Sequence, residues 1–379
     1  MKIIILVRIL WTAGAQKIAI REAKELTRMG NDVELVFLKG KRLREYDELL
    51  NGLKYAVLSE TGDSLLSPVY DFITRKFAPD RGSESRVDYN LIRKFPKYLK
   101  GKDVDYLICH DQFSGLAGYY AHRKYGISYS VFIHERVSTP KVRFLGRIWL
   151  HYEYKVLKNA KAVFAVTEKV AETVNDLYGI PAVPNYPGMD IIRETRFEEK
   201  ENAIIAVAFW DYGRRPETYL DVIEKLNDFT LYFVGNFRIE ELEKMTLREI
   251  EKRGLERRVL MRKGVKESSL IELYQRSKFS IRFGFGEYGL GTSTVESVQN
   301  CVPLIINSDL GTSDLIRNFS AGLVMDSLDP SAIAEFISKN NNAEAYGLLQ
   351  TNVKRISEFF SWRKHAENIL VPVMEGRDK

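Results

Sequence analysis

A chain of 379 residues with 45% hydrophobic and 28% charged residues can build two ordinary domain cores, which excludes an intrinsically disordered protein. The formal charge of +6 suits an anionic ligand or surface without requiring either, and no nucleic-acid-binding motif accompanies it, so no nucleic-acid partner is expected. Cys109 and Cys301 stand far apart inside apolar stretches, which excludes a disulfide scaffold or a cysteine-based zinc site and points to a reducing, cytoplasmic setting.

In chain order, MKIIILVRIL reads as a buried first strand and not as a signal peptide. Arg8 interrupts the apolar run and no cleavage site follows. Strands are predicted at 3–7, 33–37, 106–109, 129–133 and 162–166, with helices at 19–29, 115–125 and 168–178. The pattern breaks over 180–201, where Pro181, Pro184, Pro187 and Gly188 precede the charged run RFEEKEN. It restarts with strands at 203–208, 230–234, 279–283 and 303–306, helices at 270–276 and 294–299, and a last helix at 362–374. Short apolar strands alternating with amphipathic helices imply parallel βαβ units, here two doubly wound sheets of similar size. No apolar run of 18 residues exists, so no spanning helix is expected.

Ligands of such sheets bind beyond the carboxyl ends of the strands, where loops enter helix N-termini. The richest of these loops is 284–296, GFGEYGLGTSTVE, with four glycines. Its backbone can approach an anion closely, Thr292, Ser293 and Thr294 offer hydroxyls and a helix cap, and Glu296 can accept from a ribose diol. The plainer alternative is a flexible loop with an ordinary cap. In FWDYGRRP at 209–216, Arg214 and Arg215 are placed to neutralise a diphosphate, or simply to solvate a turn. The first loop, WTAGAQK, holds Gly14 but lacks the Gly-x-Gly-x-x-Gly spacing, and no Walker motif occurs; nicotinamide and P-loop chemistry are disfavoured. Of five histidines, His110 and His134 close apolar strands at the ligand end, whereas His122, His151 and His365 read as surface groups.

The loop YGLGTSTVES followed by QNCVPLII, then GTSDLI, SAGLVMDSLDPSAIAEFI, VPNYPGMD and FSWRKHAENIL, together resemble the large retaining glycosyltransferase family 4, in a divergent, archaeal form. The resemblance implies the GT-B fold: α/β, two facing Rossmann-like doubly wound parallel-sheet domains with a donor cleft between them. By this resemblance, 1–185 is the acceptor domain, 186–201 a linker, 202–358 the donor domain, and 359–379 a helix packing back on the first. Glu296 then holds the donor ribose, and Gly289, Leu290, Gly291, Thr292, Ser293 and Thr294 cradle the diphosphate. Arg214, with Arg215 as fallback, meets the phosphates; His134 faces the transferred sugar; Val265 meets the base. Gly14 is what remains of an N-terminal Gly-Gly.

The sequence departs from the family's pattern in three places. The family's first glutamate stands eight positions before the second, where Tyr288 stands here and Glu287 is one earlier; the Gly-Arg pair after the first donor-domain strand is Ala208-Phe209; and the Gly-Gly is Ala13-Gly14. The implied activity is transfer of a sugar from an NDP-sugar co-substrate to a glycan or lipid-linked acceptor. Retention, no metal site, and no cofactor are expected, with His134 and Arg214 as the catalytic pair. A catalytically silent sugar-nucleotide-binding subunit and a GT-B epimerase or hydrolase are the alternatives. Finally, 136–161 holds seven basic residues against Glu153, interleaved with aromatics, a pattern that suits an anionic membrane surface or an ordinary amphipathic helix on the first sheet.

Overall fold

The computed structural model describes residues 1–10, 14–40, 47–59, 89–137 and 145–374, the backbone alone at 47, 48, 89, 90 and 145–149. The chain forms two compact units, Met1–Pro187 with Trp362–Lys379, and Gly188–Ser361.

The first unit runs β1 (Lys2–Leu10), α1 (Gly14–Arg28), β2 (Asp32–Gly40), α2 (Asp47–Leu50), β3 (Lys54–Val57), α3 (Tyr89–Tyr98), β4 (Tyr106–His110), α4 (Gln112–Tyr125), β5 (Ser128–Ile133), α5 (Leu145–Lys158), β6 (Ala162–Ala165), α6 (Glu168–Tyr178) and β7 (Val183–Pro184). Its seven strands lie in the order β3-β2-β1-β4-β5-β6-β7, all parallel. Ile3 to Val7 and all of β4 are buried, because helices cover both faces of a parallel sheet and its central strands must be apolar throughout.

The second unit runs β8 (Glu201–Val207), α7 (Pro216–Glu224), β9 (Thr230–Val234), α8 (Glu240–Lys252), β10 (Val259–Arg262), α9 (Glu267–Arg276), β11 (Ser277–Arg282), α10 (Thr292–Gln299), β12 (Leu304–Asn307), α11 (Ser313–Phe319), β13 (Gly322–Met325), α12 (Pro330–Lys339) and α13 (Ala343–Phe359). Six parallel strands are ordered β10-β9-β8-β11-β12-β13. On one face Trp210, Tyr219, Phe233, Phe279 and Tyr346 anchor a large aromatic core, and Trp210 stacks on Phe233 with centroids 3.7 Å apart.

The last helix, α14 (Trp362–Met374), belongs to the first unit and packs on α1. It carries the clearest correction to the sequence reading. His365 is no surface group: it is 1% exposed and pairs with Glu22 of α1 at 3.0 Å. Among charged neighbours its helical position looked external, but the face it occupies is the one α14 turns inward. His151 is exposed, and half-buried His122 meets the Ile127 carbonyl. Among the described residues no helix is long and apolar enough to cross a membrane.

Candidate functional site

In each sheet the strand order reverses once, between β1 and β4 and between β8 and β11. Loops leaving such a pair of strands diverge and open a crevice at their carboxyl ends, the usual ligand position of an open parallel sheet. In the second unit these are the loops holding Arg214 and the glycine-rich run, so topology brings together residues about 70 positions apart.

The turn after β8 is set by Trp210, whose indole N–H donates to the Val234 carbonyl at 3.1 Å. A single 3-10 turn, Tyr212–Arg214, follows, and Arg215 adopts φ 50° before α7 starts at Pro216. Arg214 is thereby turned inward, 2.6 Å from the Glu287 carboxylate. Arg215 points away: its side chain is 56% exposed, 3.9 Å from Glu217 and over the Phe285 ring.

Opposite Arg214 stands a cation that the sequence reading missed. Arg282, at the end of β11, donates from Nη2 to Glu287 at 2.7 Å and from Nη1 to the Ser293 hydroxyl at 2.9 Å. Burial and the neighbouring Arg214 push the Arg282 guanidinium below its ordinary pKa, with Glu287 opposing. Two guanidiniums thus share one carboxylate, and the Nε atoms of both arginines are buried with no hydrogen-bond partner among the described residues. Buried donors of this kind are costly unless a ligand or water satisfies them.

The glycine-rich loop is held from below. Asn307 accepts from Gly284 N at 3.0 Å and returns a hydrogen bond to its carbonyl at 2.7 Å, and Gly311 N donates to the Glu287 carbonyl at 2.9 Å. Position 311 must be glycine, because a Cβ there would strike the Tyr288 carbonyl. The run Gly284-Phe285-Gly286-Glu287-Tyr288-Gly289 spells the dinucleotide spacing, yet the helix starts only at Thr292, beyond a left-handed Gly291 at φ 66°. Its amides are therefore not the first turn that clasps a dinucleotide pyrophosphate in that fingerprint. The hydroxyls expected to cap this helix do other work. Gly291 is the N-cap with no side-chain bond, Ser293 receives Arg282, and Thr294 is buried 3.4 Å from the Thr312 hydroxyl. Tyr274 of α9 shares its hydroxyl proton between the Ser293 carbonyl, 3.2 Å, and Glu296, 3.3 Å, fixing that glutamate one turn into α10. Half-buried Gly289 and Tyr288 and buried Leu290 complete the loop. Val265, just after β10, packs on the smaller core of this unit, the one formed with Tyr232 and Tyr274.

Residues 12–191 match the family described as Glycosyltransferase Family 4, and residues 189–345 match the one described as Glycosyl transferases group 1. The chain belongs to the GT-B glycosyltransferases. No curated protein matches its sequence. Among solved structures it is similar to Anabaena HepE in complex with UDP, at 14% identity over 99% of this chain and 100% of that one, TM-score 0.75. A glycosyltransferase from Rickettsia africae (15% identity, 98% of both chains, TM-score 0.74) and sucrose-phosphate synthase from Thermosynechococcus elongatus (13%, 100% of both, 0.71) share the fold.

In this glycosyltransferase the remaining sequence candidates lie on the first unit. Gly14 is the first residue of α1, and Trp11 to Ala13 lie outside the described residues. His134 follows β5, half-buried, at the carboxyl end of its sheet. An Asp-x-Asp sequence, Asp103-Val104-Asp105, stands at the opposite, amino end. There Asp105 accepts from Lys2 N at 2.7 Å and Asp103 pairs with Lys2 Nζ at 3.2 Å.

Proposed function

We propose that the protein moves a sugar from a nucleoside-diphosphate sugar to an acceptor hydroxyl, with retention at the anomeric carbon and without a metal ion. The observation that carries this reading is the pair of guanidiniums, Arg214 and Arg282, converging at the mouth of the glycine-rich loop with their Nε donors unsatisfied. Fixed positive charge aimed at a leaving diphosphate lowers the barrier by stabilising charge as it develops, and the N-terminus of α10 adds to it. Arg282 replaces the cation lost with the Ala208-Phe209 departure. Glu296, steadied by Tyr274, takes the ribose hydroxyls, and His134 hydrogen-bonds the transferred sugar. The complex of HepE with UDP supports a nucleotide donor.

Incubation with a panel of labelled NDP-sugars in excess EDTA tests this. Turnover of at least one donor, unchanged by the chelator, is expected. Binding without turnover would instead favour the silent subunit, which the Glu287 carboxylate lodged between the two cations makes the second reading. A sugar altered without an acceptor would favour an epimerase or hydrolase, and a strict metal requirement would remove the charge-stabilisation mechanism.

The acceptor in this reading is a glycan or lipid-linked sugar, met at an anionic membrane surface through the basic stretch 136–161. Of that stretch, residues 138–144 and the side chains of 145–149 lie outside the described residues; the described part of α5 exposes His151 and Tyr152. The protein is expected to sediment with anionic vesicles at low salt and to be released as salt rises, since screening weakens each basic contact. Arg143→Glu with Arg147→Glu should reduce that recovery; equal recovery of both proteins in the supernatant would leave an acceptor in solution.

A further inference from the structure

Four titratable side chains of the first unit form an unbroken hydrogen-bonded line that the donor residues do not involve. His134 Nε2 lies 2.9 Å from His110 Nδ1, and His110 Nε2 lies 3.3 Å from Glu22 Oε1. Glu22 Oε2 lies 3.0 Å from His365 Nε2, and His365 Nδ1 ends the line 3.0 Å from the Tyr186 carbonyl. Glu22, His110 and His365 are buried, and Phe132 stacks on both His110 and His134. His134 alone of the four is partly exposed.

The inventory of donors and acceptors fixes where the protons sit. The Tyr186 carbonyl only accepts, so His365 Nδ1 carries a proton; an ionised carboxylate only accepts, so His365 Nε2 and His110 Nε2 carry protons as well. His365 and Glu22 then form a buried ion pair. Moving its proton onto Glu22 changes nothing further along, because Oε1 still accepts from His110. A second imidazolium at His110 would leave two buried cations against one carboxylate, which desolvation opposes. His110 is therefore neutral and offers Nδ1 as an acceptor, and His134 must donate from Nε2. Its own Nδ1 remains unprotonated and has no partner among the described residues.

We propose that Glu22 and His110 are positioning residues that hold His134 as the neutral Nε2–H tautomer, presenting Nδ1 as a hydrogen-bond acceptor. Such a group takes a ligand that donates, a sugar hydroxyl, and rejects one that only accepts, such as the carboxylate of a uronic sugar. The ligand half of this rests on the reading that His134 faces the transferred sugar; the tautomer half does not.

Nitrogen–proton NMR of the full chain labelled in its histidines tests the tautomer directly. His134 should show a protonated Nε2 and an unprotonated Nδ1, unchanged across about pH 6 to 8, where a free histidine would titrate. A protonated Nδ1, or an imidazolium in that range, overturns the proposal. In His110→Phe, which keeps an aromatic ring against Phe132, the acceptor for Nε2–H is gone, so His134 should populate both neutral tautomers. Turnover of a neutral-sugar donor should fall several-fold while affinity for UDP alone stays the same. Glu22→Gln, whose amide can still accept from His110, should keep the wild-type tautomer, and loss of it there also overturns the proposal. If the tautomer is as proposed and His134→Ala leaves turnover unchanged, the assignment of His134 to the sugar fails and the positioning of its ring stands.

Discussion

Glu22→Leu is expected to lower the thermal midpoint of the first unit by about 10 °C. Removing one partner of a buried ion pair costs about 3–5 kcal/mol, because the other charge is left unpaired in the interior. For a domain of this size each kcal/mol shifts the midpoint by about 2–4 °C. In Glu22→Leu the stranded group is His365, 0% exposed at its side chain. Calorimetry measures the shift, and Glu22→Gln, which keeps the hydrogen bonds, should lose less than half as much. The same pair gives the wild type an acid limit. Burial pushes the Glu22 carboxyl up, but its hydrogen bonds to His110 and His365 and the charge of His365 outweigh it and hold it below the 4.5 of the unfolded chain. A depressed pKa means the unfolded chain binds the extra proton first. Its stabilisation is present above pH 4.5 and is lost progressively as pH falls below that value. His134, held below its ordinary range by burial, acts in the same direction, losing stabilisation as pH falls below 6.5. A Glu22→Leu variant with the wild-type dependence of midpoint on pH below 4.5 would remove the carboxylate from this account.

The central strands were legible because a parallel sheet buried on both faces leaves only apolar residues to read. The run 230–234 coincides with β9, and β1, β2, β4, β5, β6, β8, β11 and β12 lie within three residues of their predicted ends. Edge strands were not: β10 is partly exposed and offers only three apolar residues, Val259 to Met261, and β7 has two residues in all. Helix α4 begins three residues before the reading placed it, because Asp111, at a strained φ of 99°, caps it through Ser114 N. The long α13 was missed although Tyr346, Leu349, Val353 and Ile356 repeat at helical spacing, a signal overlooked and not absent. In the site, the loop sequences led to Arg214 and Glu296, and the family pattern to Glu287, but both passed over Arg282, since a lone arginine inside an apolar strand carries no local sign of what it faces. The Glu22–His365 pair lies beyond any local reading. Its partners are 343 residues apart, and only the return of α14 onto α1 joins them.

Arg214→Ala and Arg282→Met are each expected to weaken nucleoside-diphosphate binding tenfold or more while leaving binding of the bare nucleoside unchanged. A hydrogen bond to a charged group is worth about 1.5–3 kcal/mol, and about 1.4 kcal/mol is one decade of affinity. Arg215→Ala, removing an exposed side chain 3.9 Å from its nearest anion, should be close to neutral and serves as the control. Glu296→Ala should instead weaken nucleoside and nucleoside diphosphate alike, because the loss falls on the ribose. The two arginines are not independent, since both hold Glu287. With either one left, that carboxylate stays neutralised; with both gone it faces the phosphates as a bare negative charge. The double variant should therefore lose more than the product of the single losses, and Glu287→Gln in that background should restore part of it. Calorimetric titration across the series reads all of these. Unchanged affinity in both single variants would remove the diphosphate from this pair of cations. A loss in Arg215→Ala with none in Arg214→Ala would move the contact one residue along the turn. A double variant that shows only the product of the two losses would leave the cations in place but take Glu287 out of their competition with the ligand.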